Sequence, residues 1–255
     1  MIISEILMTW GLIITLMTIV WIIFMWKKNP GIIDVFWSIA IFISALILSS
    51  IDINNPIKLI LQLILAVWAV RLSSYLFLKR ILPQYLDQRY EDLSRKWKVS
   101  KNIGFFFNFQ FQGILAIIIS SPFIFIKEIN QINLISLVSI ILIIIGIIGE
   151  SIADLQLQKF KKLKTKNVCD VGLWRYSRHP NYFFEWIIWL GFALAGLTFT
   201  FGWLGLVSPL LLLFLMLKVT GPITEQGSIK SRGNKYLVYQ KKTSMFVPWP
   251  PQKEK

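Results

Sequence analysis

The chain has 255 residues, 55% of them hydrophobic, with a formal net charge of +14. Apolar runs of about 20 residues recur, the length that crosses a bilayer. They are continuous rather than alternating, which excludes a transmembrane barrel. The expected fold class is therefore all-α: a polytopic membrane helix bundle forming a single transmembrane domain over residues 1–255, with no separate soluble domain. The positive charge does not imply a nucleic-acid partner, because the basic residues sort by membrane side. The single cysteine, Cys169, excludes an intrachain disulfide and a cysteine-based zinc site.

Seven membrane helices are expected, at about 3–26, 32–50, 57–78, 104–126, 132–153, 181–199 and 203–219. The first lacks a basic leader and a small-residue cleavage site, so it reads as a retained helix. Lys27-Lys28-Asn29-Pro30-Gly31 ends it and turns the chain, and Asn54-Asn55-Pro56 is a second turn signal. The polar, basic loop 79–103 carries an expected amphipathic helix around Tyr85 to Trp97, and residues 220–255 read as a polar tail. The loop after the first helix has two lysines, the loop after the third has seven basic residues, Lys159 to Arg178 holds seven, and the tail from Lys218 holds eight. That places 24 of the 27 lysines and arginines on one side. The positive-inside rule then puts the N-terminus outside and the tail in the cytoplasm. Seven spans keep this sorting consistent; six or eight break it. The isoleucine, lysine and asparagine bias points to an AT-rich bacterial genome and so to the inner membrane.

The stretch Gly172-Leu-Trp-Arg-Tyr-Ser-Arg-His-Pro-Asn-Tyr-Phe-Phe-Glu185 holds the only histidine, His179. Pro180 suits the first turn of a helix. The N–H groups there, with Arg175, Arg178 and His179 nearby, form a setting for an anion such as a phosphate. Tyr182, Glu185 and Trp189 share one helical face. A carboxylate such as Glu185 about one turn inside the apolar layer is costly and marks a function or a partner. Asp34, Arg71, Tyr75, Asp154, His179, Asn181, Glu185 and Glu225 all fall near the cytoplasmic half, as expected for a site that takes a water-soluble cofactor from that side. A lone histidine among these neighbours does not make a metal centre, so no metal is expected. The lysine run 159–166 reads as lipid-headgroup contact or as an attraction for a polyphosphate cofactor.

Gly172-Leu-Trp-Arg-Tyr-Ser-Arg-His-Pro-Asn-Tyr182 followed by Glu185 resembles the signature of the steroid 5-alpha-reductase-like membrane proteins, most closely their uncharacterised bacterial and plant branch. Arg-His-Pro-Asn-Tyr is also similar to sterol double-bond reductases. A looser Arg-His-Pro-x-Tyr is similar to isoprenylcysteine carboxyl methyltransferases. Asp34-Val-Phe-Trp37, Arg71-Leu-Ser-Ser-Tyr75, Asp87-Gln-Arg-Tyr90, Phe109-Gln-Phe-Gln112, Ala153-Asp154-Leu-Gln156, Gly221-Pro-Ile-Thr-Glu225 and Tyr236-x-x-Tyr239-Gln240 extend the resemblance over about residues 30–250. One departure is Phe184, where the family usually has glycine.

The resemblance implies NADPH in a cavity among the helices near the cytoplasmic face. Asp154, Asn181, Tyr182 and Glu185 would line it, and Lys161, Arg178 and His179 would meet phosphates or ribose. Glu225, Arg232, Tyr236 and Tyr239 would close over the nucleotide. Asp34, Arg71 and Tyr75 fall on the substrate side. The reaction expected is hydride transfer from NADPH to a conjugated carbon–carbon double bond of a hydrophobic, lipid-like substrate (steroid, sterol or isoprenoid). Tyr75 or a protonated Asp34 would donate to the carbonyl oxygen as charge builds there. Two other readings stay open. One is a methyltransferase using S-adenosylmethionine, with Arg71 on a carboxylate substrate. The other is a non-catalytic lipid-binding or scaffold protein, for which Phe184 speaks.

Overall fold

The computed structural model describes residues 2–252, and among these the chain is helical with no strand. The helices are α1 (Ile2–Lys27), α2 (Ile32–Ser49), α3 (Pro56–Leu76), α4 (Gln88–Ser94), α5 (Lys101–Ile119), α6 (Pro122–Ile126), α7 (Leu134–Lys162), α8 (Pro180–Ala195), α9 (Val207–Phe214), α10 (Gly221–Arg232) and α11 (Asn234–Lys242). Six helical stretches are long and apolar enough to cross a membrane: 2–27, 32–49, 56–81, 101–126, 134–162 and 202–232. This is a multi-pass membrane protein. The remaining expected span is α8, whose 16 residues fall short of the roughly 20 that a straight crossing takes.

Two compact units divide the chain. The first comprises residues 1–135 and 192–208. Its core helix is α2, which packs against α1, α3, α5 and α6 and buries Ile33, Ile41, Ala45 and Leu48. In hydrocarbon a polar group must find its partner inside the protein, and this unit shows how. The Ser120 hydroxyl donates to the Ile41 carbonyl at 3.0 Å, Gln62 donates to Ser49 Oγ at 2.9 Å, and Gln110 donates to Thr18 Oγ1 at 3.1 Å. Asn55 caps α3 by accepting from the Lys58 N–H, with Pro56 in the first turn. Glu5 of α1 pairs with Lys127 at 2.9 Å. The last turn of the third span, Phe77–Ile81, widens into a π-helix.

The second unit comprises residues 136–191 and 209–255. Here α7 and α8 meet through glycine, the usual way membrane helices approach closely. A Cβ at Gly146 would overlap Ile188, one at Gly191 would overlap Ile143, and one at Gly149 would overlap the ring of Phe184. The bulky Phe184 on α8 is thus matched by the missing side chain of Gly149 on α7. The helical stretch after residue 202 continues through a π-turn at Leu215–Thr220 into α10. Gly233, at φ +58°, separates α10 from α11.

Because the Phe184 ring fills the space above Gly149, Gly149→Val is expected to lower stability by about 1–3 kcal/mol through overpacking. Phe184→Gly in the same chain is expected to recover most of that loss. Thermal unfolding of the two single variants and the double variant in detergent measures it.

Candidate functional site

The Gly172–Glu185 stretch lies in the second unit and is built onto the end of α7. Gly172 has φ +57°, a left-handed conformation that favours glycine, and a Cβ there would also overlap the Gln156 side chain. Gln156 Oε1 accepts the Leu173 N–H at 2.9 Å, and the Trp174 indole donates to the Ala153 carbonyl at 2.9 Å. The two motifs Ala153–Gln156 and Gly172–Trp174 therefore hold each other.

The tail holds the same stretch from the other end. Ser177 Oγ donates to the Phe246 carbonyl at 2.7 Å, and the Trp249 N–H donates to the Tyr176 carbonyl at 2.9 Å. The Tyr239 hydroxyl donates to the Trp174 carbonyl and, at 3.3 Å, to that of Ser177. Burial pushes the Tyr239 hydroxyl well up from its ordinary value. Burial and the nearby Glu225 charge push Tyr236 up to about 12. Both tyrosines are buried and packed edge to face, ring centroids 5.7 Å apart.

At the centre is Arg178. Its Nε donates to Glu225 Oε1 at 2.6 Å, and its Nη1 donates to the carbonyls of Thr243 at 2.6 Å and Gln240 at 3.0 Å. Its backbone N–H donates to the Ser244 carbonyl at 2.8 Å. Glu225 also meets His179 Nε2 at 3.1 Å and accepts from Gln240 Nε2 at 2.7 Å. The His179 ring lies flat on Tyr182, centroids 5.1 Å apart. The expectation that Arg178 and His179 face a phosphate meets a different arrangement: both are spent on Glu225 and the tail. The N–H of His179 at the start of α8 is likewise taken, by Ser177 Oγ at 3.1 Å. Arg232, expected at the nucleotide, donates to the Asn167 carbonyl at 3.0 Å.

Of the other residues expected around a cofactor, Asp154 and Glu185 are buried, Tyr182 is half-buried, and Lys161 is exposed at the end of α7. Glu185 accepts the Trp189 indole N–H at 2.9 Å, and the Tyr182 hydroxyl lies 3.4 Å from Thr224 Oγ1. Asn181 Oδ1 is buried and receives no hydrogen bond from the protein. Glu150, read in the sequence only as the end of an expected span and not as a site residue, is 4% exposed and lies one turn before Asp154 on α7. Its signal was a carboxylate deep in an apolar run. Gln240 was read only as part of a tail motif, and its grip on Glu225 was not foreseen.

The three substrate-side residues lie in the first unit. Asp34 sits in the first turn of α2. Its Oδ1 accepts the Tyr90 hydroxyl at 2.7 Å, and its Oδ2 pairs with Arg80 and lies 3.8 Å from Arg89. Asp87 caps α4 and accepts from the Arg89 guanidinium, from Nε at 3.0 Å on both oxygens and from Nη2 at 2.7 Å. Burial raises the Asp87 carboxyl, but the Arg89 bonds and the Arg80 charge outweigh it and hold the group below its ordinary range. Burial pushes the Tyr90 hydroxyl up. In this company Asp34 acts as an acceptor, not as the donor expected of a protonated acid. Arg71 and Tyr75 are half-buried on α3, one helical turn apart.

A family model described as a protein of unknown function (DUF1295) matches residues 20–243. The uncharacterized protein C594.04c of Schizosaccharomyces pombe is 39% identical over 85 residues, which is 30% of this chain and 22% of the yeast protein. The chain thus matches about a fifth of that relative's length. No solved structure matches the chain.

Removing one partner of a buried ion pair leaves the other charge without compensation. Glu225→Ala is expected to cost about 3–5 kcal/mol, and Arg178→Met a similar amount. The Arg178→Met, Glu225→Leu double variant is expected to lose less than the sum of the two, because both remove one network. Denaturant unfolding in detergent checks all three.

Proposed function

We propose that this chain, which belongs to the DUF1295 family, is a membrane oxidoreductase. In this reading it reduces a conjugated carbon–carbon double bond in a lipid-like substrate with NADPH, taken up from the cytoplasmic side of a bacterial inner membrane. The observation that carries the reading is Asn181. Its Oδ1 is buried beside the start of α8 with no protein donor. Burying an amide oxygen without a hydrogen bond is costly, and the carboxamide N–H of a nicotinamide is a donor of the right kind. The resemblance of Arg178–Glu185 and its neighbouring motifs to the steroid 5-alpha-reductase-like proteins supports the same cofactor.

NADPH, when bound, supplies the hydride. The chain's own residues hold and orient. Asn181 accepts from the carboxamide, and Glu185 is fixed by the Trp189 indole. Lys161, on the exposed end of α7, serves the phosphates. Arg178, His179, Glu225 and Tyr239 hold the surrounding walls in place. Arg232 does the same from the Asn167 loop. On the substrate side, the Tyr75 hydroxyl is the donor to the carbonyl oxygen as charge builds there. Asp34 orients Tyr90 and the Arg80 guanidinium. Arg71 holds a polar end of the substrate.

The test is NADPH consumption by purified, lipid-reconstituted protein against a panel of enone lipids, with product mass read in parallel. A gain of two hydrogens at the double bond is expected. Tyr75→Phe is expected to reduce kcat by about 100-fold or more, the scale for one lost oxyanion donor. Unchanged turnover in Tyr75→Phe removes that residue's role. Transfer of a methyl group from S-adenosylmethionine, with no NADPH consumption, replaces the reading with a methyltransferase.

A further inference from the structure

The end of α7 carries a cluster of lysines of which the proposed site takes only Lys161. Residues 134–153 cover about 30 Å at 1.5 Å per residue, enough for a hydrocarbon core. The helix does not stop there but runs on to Lys162. This extension and the loop beyond it place five lysines, at 159, 161, 162, 164 and 166, within eight residues. All five are exposed. The sequence has no acidic residue between Asp154 and Asp170.

Lysines at a helix C-terminus are partly explained by the helix dipole. That explanation covers positions 159–162 and not Lys164 or Lys166, which lie past the end of the helix. Nor does the loop hang free. Lys164 adopts φ +49°, a strained conformation that turns the chain at the helix end. Three residues on, Asn167 is held twice: Arg232 donates to its carbonyl at 3.0 Å, and Lys235 donates to its Oδ1 at 2.7 Å. The loop is thus pinned to the ends of α10 and α11. Leu163, 66% exposed, stands among the lysines as an apolar contact.

We infer that this pinned lysine platform binds the anionic headgroups of the bilayer in which α7 is embedded. Charge complementarity and the position at the mouth of a membrane-long helix fit a lipid phosphate plane, where each lysine adds to the attraction. The inference does not depend on the reductase reading.

The test titrates purified protein in dodecyl maltoside with dioleoyl phosphatidylglycerol, dioleoyl phosphatidylcholine or sodium tripolyphosphate and reads Tm. Phosphatidylglycerol is expected to raise Tm well above the effect of phosphatidylcholine at equal mole fraction. The difference is expected to vanish at about 1 M salt, where charge is screened within roughly 3 Å. In Lys159→Gln, Lys162→Gln, Lys164→Gln, Lys166→Gln, the phosphatidylglycerol needed for half the shift is expected to rise roughly tenfold or more. If that variant does not fold, Lys164→Gln, Lys166→Gln replaces it, both changes lying outside the helix, with an expected rise of roughly fivefold. Equal shifts from the two lipids, an unaltered phosphatidylglycerol response in the variants, or an equal shift from tripolyphosphate overturns the inference.

Discussion

The grip of Arg178 on Glu225 organises the second unit. A guanidinium offers five donors in a fixed plane, and here they reach one carboxylate and two carbonyls in the tail. That single side chain joins the start of α8 to α10 and to the end of α11. Glu225 accepts from three side chains in return. Buried charge of this kind is tolerable only when every partner is present. It explains why Ser177, Arg178 and His179 occur together with Glu225, Tyr239 and Gln240: they hydrogen-bond to one another.

The second constraint is space between helices. Without a hydrophobic drive between apolar helices in lipid, association depends on close packing and on small residues that permit it. Gly146, Gly149 and Gly191 serve that purpose between α7 and α8. Phe184, read in the sequence as a departure from the pattern this chain resembles, places its ring in the room that Gly149 leaves. The departure is thus absorbed by packing against α7.

Membrane spans were legible in the sequence because a run of apolar residues is a local signal. The turn at Asn54–Pro56, the helix within 85–97 and the placement of Asp34 in the first turn of α2 were legible for the same reason. The helices α10 and α11 were not. They are polar, so hydropathy is silent, and only Pro222 in the first turn and the positive φ at Gly233 mark them. The roles of Arg178 and Asp34 were hidden for another reason. Their partners lie 47 and 56 residues away, at Glu225 and Tyr90. A cationic motif beside a helix start reads as an anion site until the carboxylate that neutralises it is in view. Asn181 differs: the sequence marked it, and its buried oxygen has no protein donor.

If Asn181 faces a nicotinamide, ligand binding must discriminate between cofactors before any substrate is known. A ligand that binds only the folded form stabilises it by RT ln(1 + [L]/Kd). The decisive measurement is the thermal shift of the detergent-purified protein with NADPH, NADH and S-adenosylmethionine at matched concentrations, in wild type and Asn181→Ala. A shift with NADPH that Asn181→Ala abolishes is the predicted result. A shift with S-adenosylmethionine alone, or no shift with any of the three, contradicts it.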